Sequence, residues 1–488
     1  MVKWHCAKNA ISSPRNGWRE DMGANTEKKL NYGRTFLIGL AFMSICSFWQ
    51  VYDNIIPLML KNTFELGETV TGVVMALDNV LAIFLLPMFG TLSDKVDTRL
   101  GKRTPFIIVG TSLAVVFMLL LPVADRAVNL PLFVGALFGV LISMGLYRSP
   151  AVALMPDLTP NRLRSRANAV INLLGAVGGV YSLIMIKVLV GKESRPDYEP
   201  LFISIAALMV VAVLVLVLTI REKKIAAQVA AGEAAENSLI SKAESCLNKE
   251  TAESLSKEAG ENSSPVKAEN PDKDEAATGK KATVLAPEVK KSMIFMLASI
   301  FLWFMAYNAV TTAFSRYTEQ VWHLEGGGFA NCLMVATVAA ILSYIPIGHI
   351  SGKIGRKKTI LGGVLVMAAC YGAAIFAGSY TPLINVAFAM IGVAWAAINV
   401  NSYPMIVAMS EGADIGKFTG TYYTFSMAAQ IVTPILSGFL LEHVSYRTLF
   451  PYALVFSLLA FCTMLQVKHG DVKPQKKESL LENFDVED

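Results

Sequence analysis

Three ionisable side chains stand inside stretches of sequence that are otherwise apolar enough to cross a membrane. Asp53 and Asp78 lie in the first and second of these stretches, and Arg148 lies in the fourth, about two turns before its end. A charge at that depth is costly unless it is paired, protonated or reached by water, and such residues are typical of ion and proton pathways. We therefore predict that these three residues take part in binding a coupling cation.

A structural interpretation of the same charges stays open. Arg148 would then form an ion pair that only locks two helices together, because a guanidinium at this depth needs a carboxylate or a ligand oxygen. Asp78 would be a protonated acid satisfied by a neighbouring hydroxyl or carbonyl group.

Uncharged polar and aromatic side chains form a second candidate set. Several recur at steps of three and four residues, which places them on one helical face that points away from lipid. Amides and hydroxyls exchange hydrogen bonds with the hydroxyl groups of a sugar, and an indole ring covers its C–H face. Interhelical hydrogen bonding is the alternative for each residue singly. The predicted substrate-binding residues are Gln50, Asn54, Tyr147, Asn168, Asn308, Trp395, Asn399 and Gln430.

A charged turn marked by glycines separates the second and third apolar stretches and occurs again in the second half of the chain. The first copy covers Gly90–Pro105 and the second covers Gly348–Lys358. Gly101 and Gly355 lie 254 positions apart (355 − 101), and other motifs keep the same offset. The chain therefore consists of two similar halves.

The elements that position these residues follow from composition. Of 488 residues, 54% are hydrophobic and only 17% are charged, and the mean hydropathy is +0.49. This excludes an ordinary soluble protein. About a dozen stretches reach the roughly 20 apolar residues that a membrane-spanning helix needs. The seventh, predicted over 292–314, and the tenth and eleventh carry no charge in their interiors.

The predicted organisation is an all-α membrane protein with twelve transmembrane helices in two pseudo-symmetric six-helix bundles. A polar segment rich in Ala, Glu, Lys and Ser joins the bundles and is predicted to be disordered or partly helical. The predicted boundaries are a tail over 1–34, a bundle over 35–221, a linker over 222–290, a bundle over 291–467 and a tail over 468–488.

Lysines and arginines are distributed unequally between the two sets of short loops, with twelve in one set and about half that number in the other. Because short loops rich in lysine and arginine stay in the cytoplasm, we predict that both termini and the linker, which lie on the same side as the richer set, are cytoplasmic in a plasma-membrane protein. This asymmetry explains the formal net charge of +5 without a nucleic-acid partner.

Several functions are disfavoured by the residues. The six cysteines are scattered and form no CxxC pair, so we expect no disulfide framework and no metal site. No phosphate-cradling glycine loop or HExxH motif occurs, so we expect no enzyme. The first 34 residues contain no short apolar core with a cleavage site, so we expect no removable signal peptide.

Three stretches carry a resemblance to a known family. They are Pro87–Asp94 running into Leu100–Ile107, Pro150–Leu158, and Arg166–Ala169. The loop motif in the first of them, with the twelve spans, the repeat and the polar linker, resembles the major facilitator superfamily. Within that superfamily, the three stretches are similar to the glycoside-pentoside-hexuronide cation symporters, especially the sucrose-proton symporters. They cover the second to fifth spans, while the second half matches only at the superfamily level.

The resemblance implies the major facilitator fold, in which two bundles rock about a central site and cation entry drives sugar uptake. It implies that Asp157 is a coupling or gating acid, and that Asp94 clamps the basic residues of the turn while the protein faces outward. We expect no cofactor beyond the coupling ion, a monomer, and membrane lipid as the surrounding partner. The residues predicted for this cytoplasmic gate are Gly90, Asp94, Arg99, Gly101, Lys102 and Arg103.

Departures from the family pattern refine these expectations. Many sucrose symporters have an arginine where this chain has Val152, and Arg148 stands on the other side of the preceding proline. Melibiose-type sodium symporters have paired aspartates where this chain has Ala82 and Leu86, which favours protons over sodium. Gly352 replaces the acid in the second copy of the turn. The alternative function is a carrier of an organic anion, a drug or a lipid-like molecule.

Overall fold

The structure is a computed structural model, and it describes residues 30–193, 195–235, 237–238, 286–409 and 415–471, with only the backbone of 415–417. These residues form twelve helices that are long and apolar enough to cross a membrane, which confirms the all-α membrane fold. We label them α1 to α12: Tyr32–Asn62, Glu68–Lys95, Thr104–Arg126, Leu130–Asp157, Arg164–Leu189, Glu199–Thr219, Pro287–Val321, Ala330–Ile354, Arg356–Ile375, Pro382–Met409, Ile415–His443 and Leu449–Leu465.

Helix packing repeats between the two halves, as the sequence repeat predicted. In the first half, α1 packs against α5 and α6, α4 packs against α2 and α3, and α3 packs against α6. In the second half, α7 packs against α11 and α12, α10 packs against α8 and α9, and α9 packs against α12. Each contact is therefore matched by one between helices six positions later in the chain.

Among the described residues, the most extensive helix contacts between the two halves are those of α2 with α11, α5 with α8, and α1 with α7. Glycines permit the closest approaches, because a side chain on Gly72 would collide with the backbone of Pro434. In the same way, Gly327 lies directly against the backbone of Ile186. These sites lie at the end of the molecule away from the charged turns. We call the end with residues 96–103 and Gly355 the basic face and the other end the opposite face.

The seventh helix differs from its prediction. The apolar run suggested a span over 292–314 without internal charge, but α7 continues to Val321 and includes Arg316 and Glu319. The uncharged run over 292–314 lies inside α7, but the helix is longer than predicted. Hydropathy ends a span at its first charges, whereas Arg316 is buried against an acidic partner from the other half of the molecule.

The linker begins as a helix. Residues 222–235 are helical and follow α6 after a break at Ile220 and Arg221. Most of the predicted linker, at 236 and 239–285, and most of both predicted tails, at 1–29 and 472–488, lie outside the described residues.

Candidate functional site

One cavity in the first half brings together two of the ionisable residues that the sequence singled out. Asp78 on α2 and Arg148 on α4 both line it, and Trp49 on α1 forms another wall. Its empty volume is about 350 Å³. The remaining lining residues are Asn79, Leu81, Ala82, Leu85, Leu86, Leu141, Met144 and Gly145.

The Asp78 carboxylate uses its two oxygens differently. Its Oδ1 accepts hydrogen bonds from the backbone N–H of Asn79 at 2.6 Å and from the side-chain amide of Asn79 at 2.8 Å. Its Oδ2 accepts no hydrogen bond from any described residue. The neighbouring amide therefore fixes the carboxylate and leaves one oxygen available to a ligand or a proton.

Arg148 is half-buried and lies across the cavity. Its guanidinium carbon is 5.9 Å from the centre of the Trp49 ring, within the range of a cation–π contact. Among the described residues it forms no hydrogen bond and no ion pair. The helix-locking ion pair considered from the sequence is therefore absent from this part of the chain.

Trp49 is a site residue that the sequence analysis missed. It stands one helical turn before Asp53 on α1, and that spacing was the available signal. An apolar or aromatic residue in a membrane span is ordinarily read as core or lipid contact, which is why it did not stand out.

Asp53 is half-buried on α1 and forms no hydrogen bond with the described residues. It lies close enough to Asp78 for the two carboxylates to interact electrostatically. The three predicted cation-coupling residues Asp53, Asp78 and Arg148 therefore belong to one region. Asp157, the fourth, lies elsewhere, on the basic face.

Tyr147 lies outside the cavity, although it precedes Arg148 in the chain. Its side chain is fully buried, its hydroxyl is 2.7 Å from the Ser44 hydroxyl, and it donates to the Ala41 carbonyl at 3.1 Å. The tyrosine thereby fastens α4 to α1.

The other predicted substrate-binding residues of the first half lie on α1 and α5; they are Gln50, Asn54 and Asn168. Asn54 is buried and donates its amide to the Gln50 carbonyl at 2.9 Å, while its own Oδ1 has no partner among the described residues. Asn168 is half-buried near the start of α5. None of the three lines the cavity.

The predicted substrate-binding residues of the second half also lie outside this cavity. Trp395 stacks on Tyr307, with 3.7 Å between ring centres and 3° between ring planes. The amide nitrogen of Asn308 is buried and has no hydrogen-bond partner within the described residues. Asn399 is buried and Gln430 is half-buried. All four are uncharged, and they lie on α7, α10 and α11.

Arg103 joins the predicted gate residues on the basic face. It donates to Asp94 at 2.5 Å, to Asp157 at 2.9 Å and to the Gly90 carbonyl at 3.3 Å. It also donates to the Ser93 hydroxyl. The guanidinium thus connects the ends of α2 and α4 with the start of α3, all within the first half. Asp157, proposed from the resemblance as a coupling or gating acid, is a partner of this arginine.

Glu222, at the start of the linker helix, caps α3. Its buried carboxylate accepts from the backbone N–H groups of Lys102 at 2.7 Å, Arg103 at 2.9 Å and Thr104 at 2.8 Å. The Thr104 hydroxyl donates to it at 2.7 Å. Gly101 adopts a φ of +121°, and a side chain there would collide with Glu222. The carboxylate satisfies N–H groups that the helix leaves unpaired and faces the positive end of its dipole.

A matching cap occurs in the second half. Asp471, which follows α12, accepts from the backbone N–H of Lys357 at 3.1 Å, beside Gly355 with a φ of +96°. Neither acid was predicted from the sequence, because both stand in polar segments. The available signal was an acid shortly after the sixth and the twelfth span.

The remaining two predicted gate residues are peripheral. Arg99 and the side chain of Lys102 are exposed in the turn. Neither side chain bonds to a described residue.

The opposite face carries a buried ionic network between the halves. Glu68 at the start of α2 accepts from Arg316 of α7 at 2.6 Å and from the Tyr446 hydroxyl at 2.5 Å. Lys61 lies 3.7 Å from Glu68, and its ammonium group is 4.3 Å from the centre of the Tyr446 ring. Glu68 and Arg316 are each 3% exposed. Asn62 extends the network by donating to Glu319 at 3.0 Å.

The chain is similar to known proteins both in sequence family and in fold. The sequence model of the Major Facilitator Superfamily matches residues 38–345 and 328–484. No curated protein matches the chain significantly.

Solved structures share the fold at low sequence identity. A peptide transporter POT in complex with alafosfalin is 13% identical, with a TM-score of 0.61 over 92% of this chain and 98% of that one. The nucleoside transporter NupG is 13% identical, with a TM-score of 0.59 over 89% and 100%. A POT family transporter in complex with 5-aminolevulinic acid is 12% identical, with a TM-score of 0.62 over 89% and 94%.

Proposed function

Because this chain belongs to the major facilitator superfamily and is a secondary transporter, we propose that it moves a sugar or glycoside across the plasma membrane together with a proton. The basic face and both termini then lie in the cytoplasm, as the lysine and arginine distribution indicates. The proteins with similar structures are named as transporters of peptides and of nucleosides. At this sequence identity, their similarity indicates a shared fold and not a shared cargo.

The observation that carries the proposal is the cavity shared by Asp78 and Arg148. The half-buried Arg148 guanidinium forms no hydrogen bond with the described residues, and it shares the cavity with the Asp78 carboxylate, which has one oxygen without a hydrogen bond. Ionisable groups at membrane depth are costly unless they are paired, protonated or reached by water or a ligand. A proton on Asp78 changes the charge of the cavity by one, and Arg148 responds to that change electrostatically.

Alternating access supplies the second part of the proposal. The Glu68 and Arg316 pair joins the halves on the opposite face. On the basic face, Arg103 joins α2, α3 and α4 within the first half and does not connect the halves. Ion pairs can break and reform as bundles rotate, which exposes the cavity first to one side and then to the other. A potential of 100 mV contributes about 2.3 kcal/mol per charge moved, enough for roughly fifty-fold accumulation.

The sugar cargo is supported by the uncharged residues of the second half. Asn308, Asn399 and Gln430 offer amides, and the stacked pair of Trp395 and Tyr307 offers an aromatic face. These groups suit a neutral ligand with many hydroxyls. We place them across the central space from the Asp78 cavity when the halves close around the cargo.

An organic anion is the second candidate, and Arg148 is the observation that favours it. Arg148 shares the cavity with Asp78 but forms no hydrogen bond to it or to any other described residue, so its N–H groups can recognise a ligand carboxylate or phosphate through paired hydrogen bonds. A drug or lipid-like cargo has no comparable support in the charged cavity.

Uptake into proteoliposomes tests the proposal. Labelled mono- and disaccharides are offered with an inward proton gradient and a negative interior, and we expect accumulation that a protonophore abolishes. Sugar uptake that ignores both gradients would contradict proton coupling. Absence of sugar binding would contradict the cargo.

The Arg148→Gln variant separates the two cargoes. For a neutral sugar, we expect binding to change less than about tenfold while the dependence of uptake on external pH shifts, because only the electrostatic response is lost. For an anion, binding should fall about tenfold or more, because charge-assisted hydrogen bonds are removed. Isothermal titration with a sugar panel and a carboxylate panel distinguishes these outcomes.

A further inference from the structure

A second cavity lies on the opposite face, where the two halves meet, and it takes no part in the proposed cargo site. Residues of α1 and of the α5–α6 connection form its first-half wall, and residues of α7 and the approach to α8 form its second-half wall. Its empty volume is about 290 Å³. Its polar lining consists of Asn62, Glu193, Tyr198, Ser315 and Glu319.

The polar lining is rich in oxygen and negatively charged. Glu193 comes from the first half and Glu319 from the second, so two carboxylates face one space. Asn62 donates its amide nitrogen to both oxygens of Glu319, at 3.0 and 3.3 Å. That bond orients the Glu319 carboxylate and leaves the Asn62 carbonyl oxygen without a partner among the described residues.

Ser315 is an independent indication that the cavity accommodates a ligand. It is 1% exposed, it lines the cavity, and its hydroxyl has no hydrogen-bond partner within the described part of the chain. A buried hydroxyl without a partner costs free energy, and such groups in native proteins call for an explanation such as a bound water or ion. A ligand in the cavity would satisfy it.

Charged groups around the cavity leave its carboxylates incompletely neutralised. Lys61 interacts electrostatically with Glu319, but its ammonium group is shared with Glu68. Arg316 is occupied by Glu68 in the same network. Asp125 adds negative charge near Tyr198, with one buried oxygen unpaired among the described residues, and Arg195 partly offsets that charge.

We propose that this cavity binds a hard cation, with Ca²⁺ as the best match, between Glu193 of the first half and Glu319 of the second. Carboxylate, amide, hydroxyl and water oxygens are the ligands that Ca²⁺ takes, in a flexible shell of 6–8. Sulfur and imidazole ligands are absent from the lining, which disfavours zinc and copper. The two carboxylates, with Lys61 shared between Glu319 and Glu68, leave the net negative charge that favours a cation.

A cation held by both halves has a conformational consequence. The ligands come together only while the opposite face is closed, so the ion binds that state more tightly than one in which the halves have separated. By linkage, binding stabilises the closed opposite face, and a ligand that opens this face weakens cation binding by the same factor.

The test uses the purified full chain in detergent, stripped with a chelator and titrated with CaCl₂, with MgCl₂ and NaCl as comparison arms. Calorimetric titration measures affinity, and the thermal midpoint measures stabilisation by binding. We expect saturable Ca²⁺ binding that raises the midpoint, with weaker binding of the other two ions. Absence of saturable binding by all three cations would overturn the proposal.

Variants locate the binding. Glu193→Gln and Glu319→Gln should each weaken Ca²⁺ about tenfold or more, because each removes one of two charges facing the ion. Ser315→Ala should weaken it less. Glu65→Gln, an exposed carboxylate on the same face outside the cavity, is the matched control. Binding that the two cavity variants leave unchanged would overturn the assignment, and the ion-free midpoint of each variant separates lost binding from lost folding.

Spin labels test the bridging of the halves. In a cysteine-free background, labels replace Leu132 on α4 and Val444 between α11 and α12, both exposed on the opposite face. Ca²⁺ should shift the distance distribution toward its short component in the parent protein and not in Glu319→Gln. Binding without any such shift would overturn the bridging role.

Discussion

At the residue scale, the arrangement of Asp78 predicts how coupling is lost. Asn79 occupies one carboxylate oxygen, so the other is the available proton position. Asp78→Asn keeps the shape and the hydrogen bonds but cannot change charge. We expect it to abolish accumulation against a gradient while exchange of labelled for unlabelled cargo continues. Proteoliposome assays of both reactions measure this.

The control for Asp78 is Glu288→Gln, which removes an exposed carboxylate at the start of α7. It should accumulate cargo like the parent protein. Full concentrative uptake by Asp78→Asn would exclude Asp78 as the coupling residue and leave Asp53 as the candidate.

Tyr147 is predicted to affect stability and not transport. Its hydroxyl joins α4 to α1 through Ser44 and Ala41 and lies outside the cavity. Tyr147→Phe should therefore lower stability by about 1–3 kcal/mol, because buried polar groups lose their partner. Cargo affinity should be unchanged. Thermal unfolding and ligand titration measure the two effects, and reduced affinity with normal stability would return Tyr147 to the binding set.

At the element scale, the cap on α3 connects the linker to the basic-face network. Glu222 holds the three N–H groups from Lys102 to Thr104, next to the Arg103 side chain that binds Asp94 and Asp157. The position of the α3 terminus therefore depends on the first residue of the linker helix.

Loss of the Glu222 cap should destabilise the first half. Glu222→Ala removes a capping carboxylate, which costs about 0.5–2 kcal/mol, and Glu222→Gln should cost less because the amide oxygen still accepts hydrogen bonds. Thermal unfolding should therefore give the highest midpoint for the parent protein, a lower one for Glu222→Gln and the lowest for Glu222→Ala. Glu233→Gln is a suitable comparison, since that residue accepts a single backbone hydrogen bond from Asn161. Equal midpoints for the parent and Glu222→Ala would contradict the capping role.

Gly101 provides an independent probe of the same element. Its φ of +121° is unfavourable for other residues, and a side chain would also meet the Glu222 carboxylate. The sequence marked this glycine through the repeated turn. The reason for it became visible only with Glu222, which lies 121 residues later (222 − 101).

At the scale of the whole molecule, the Glu68 and Arg316 pair sets the balance between closed and open opposite faces. Both side chains are almost fully buried at the junction of the halves. Removing Arg316 leaves Glu68 with only Lys61 and the Tyr446 hydroxyl as partners. Breaking a buried pair costs up to about 3–5 kcal/mol, whereas removing both members is often neutral. Arg316→Gln should therefore favour separation of the halves on this face, and the double variant Glu68→Gln with Arg316→Gln should fall between it and the parent.

Distances between spin labels across the opposite face measure that balance. The single variant Arg316→Gln should increase the fraction of molecules with a long distance between the labels. The charge-swapped pair Glu68→Arg with Arg316→Glu should restore part of the fraction with a short distance. An exposed pair offers the control, because separating Lys223 from Asp97 with Lys223→Gln should leave the distribution unchanged. Identical distributions for the parent and Arg316→Gln would show that the pair does not hold the halves together.

The sequence by itself determined the twelve spans, the repeat, the glycine turns and the depth of Asp78 and Arg148. Each of these can be recognised from local hydropathy, from residue spacing or from a motif that recurs at a fixed offset. The sequence could also indicate that Arg103 and Asp94 belong together, since nine positions separate them (103 − 94) across one turn.

Only the tertiary structure decided the partners that come from distant parts of the chain. Glu68 meets Arg316 across 248 positions, and Glu222 meets the start of α3 across about 120. It also assigned Trp49 to the cavity and Tyr147 to helix packing. Helix periodicity defines a face but not the neighbour against which that face packs. A buried charge is stabilised by whichever neighbour the fold supplies, and no local pattern specifies that neighbour.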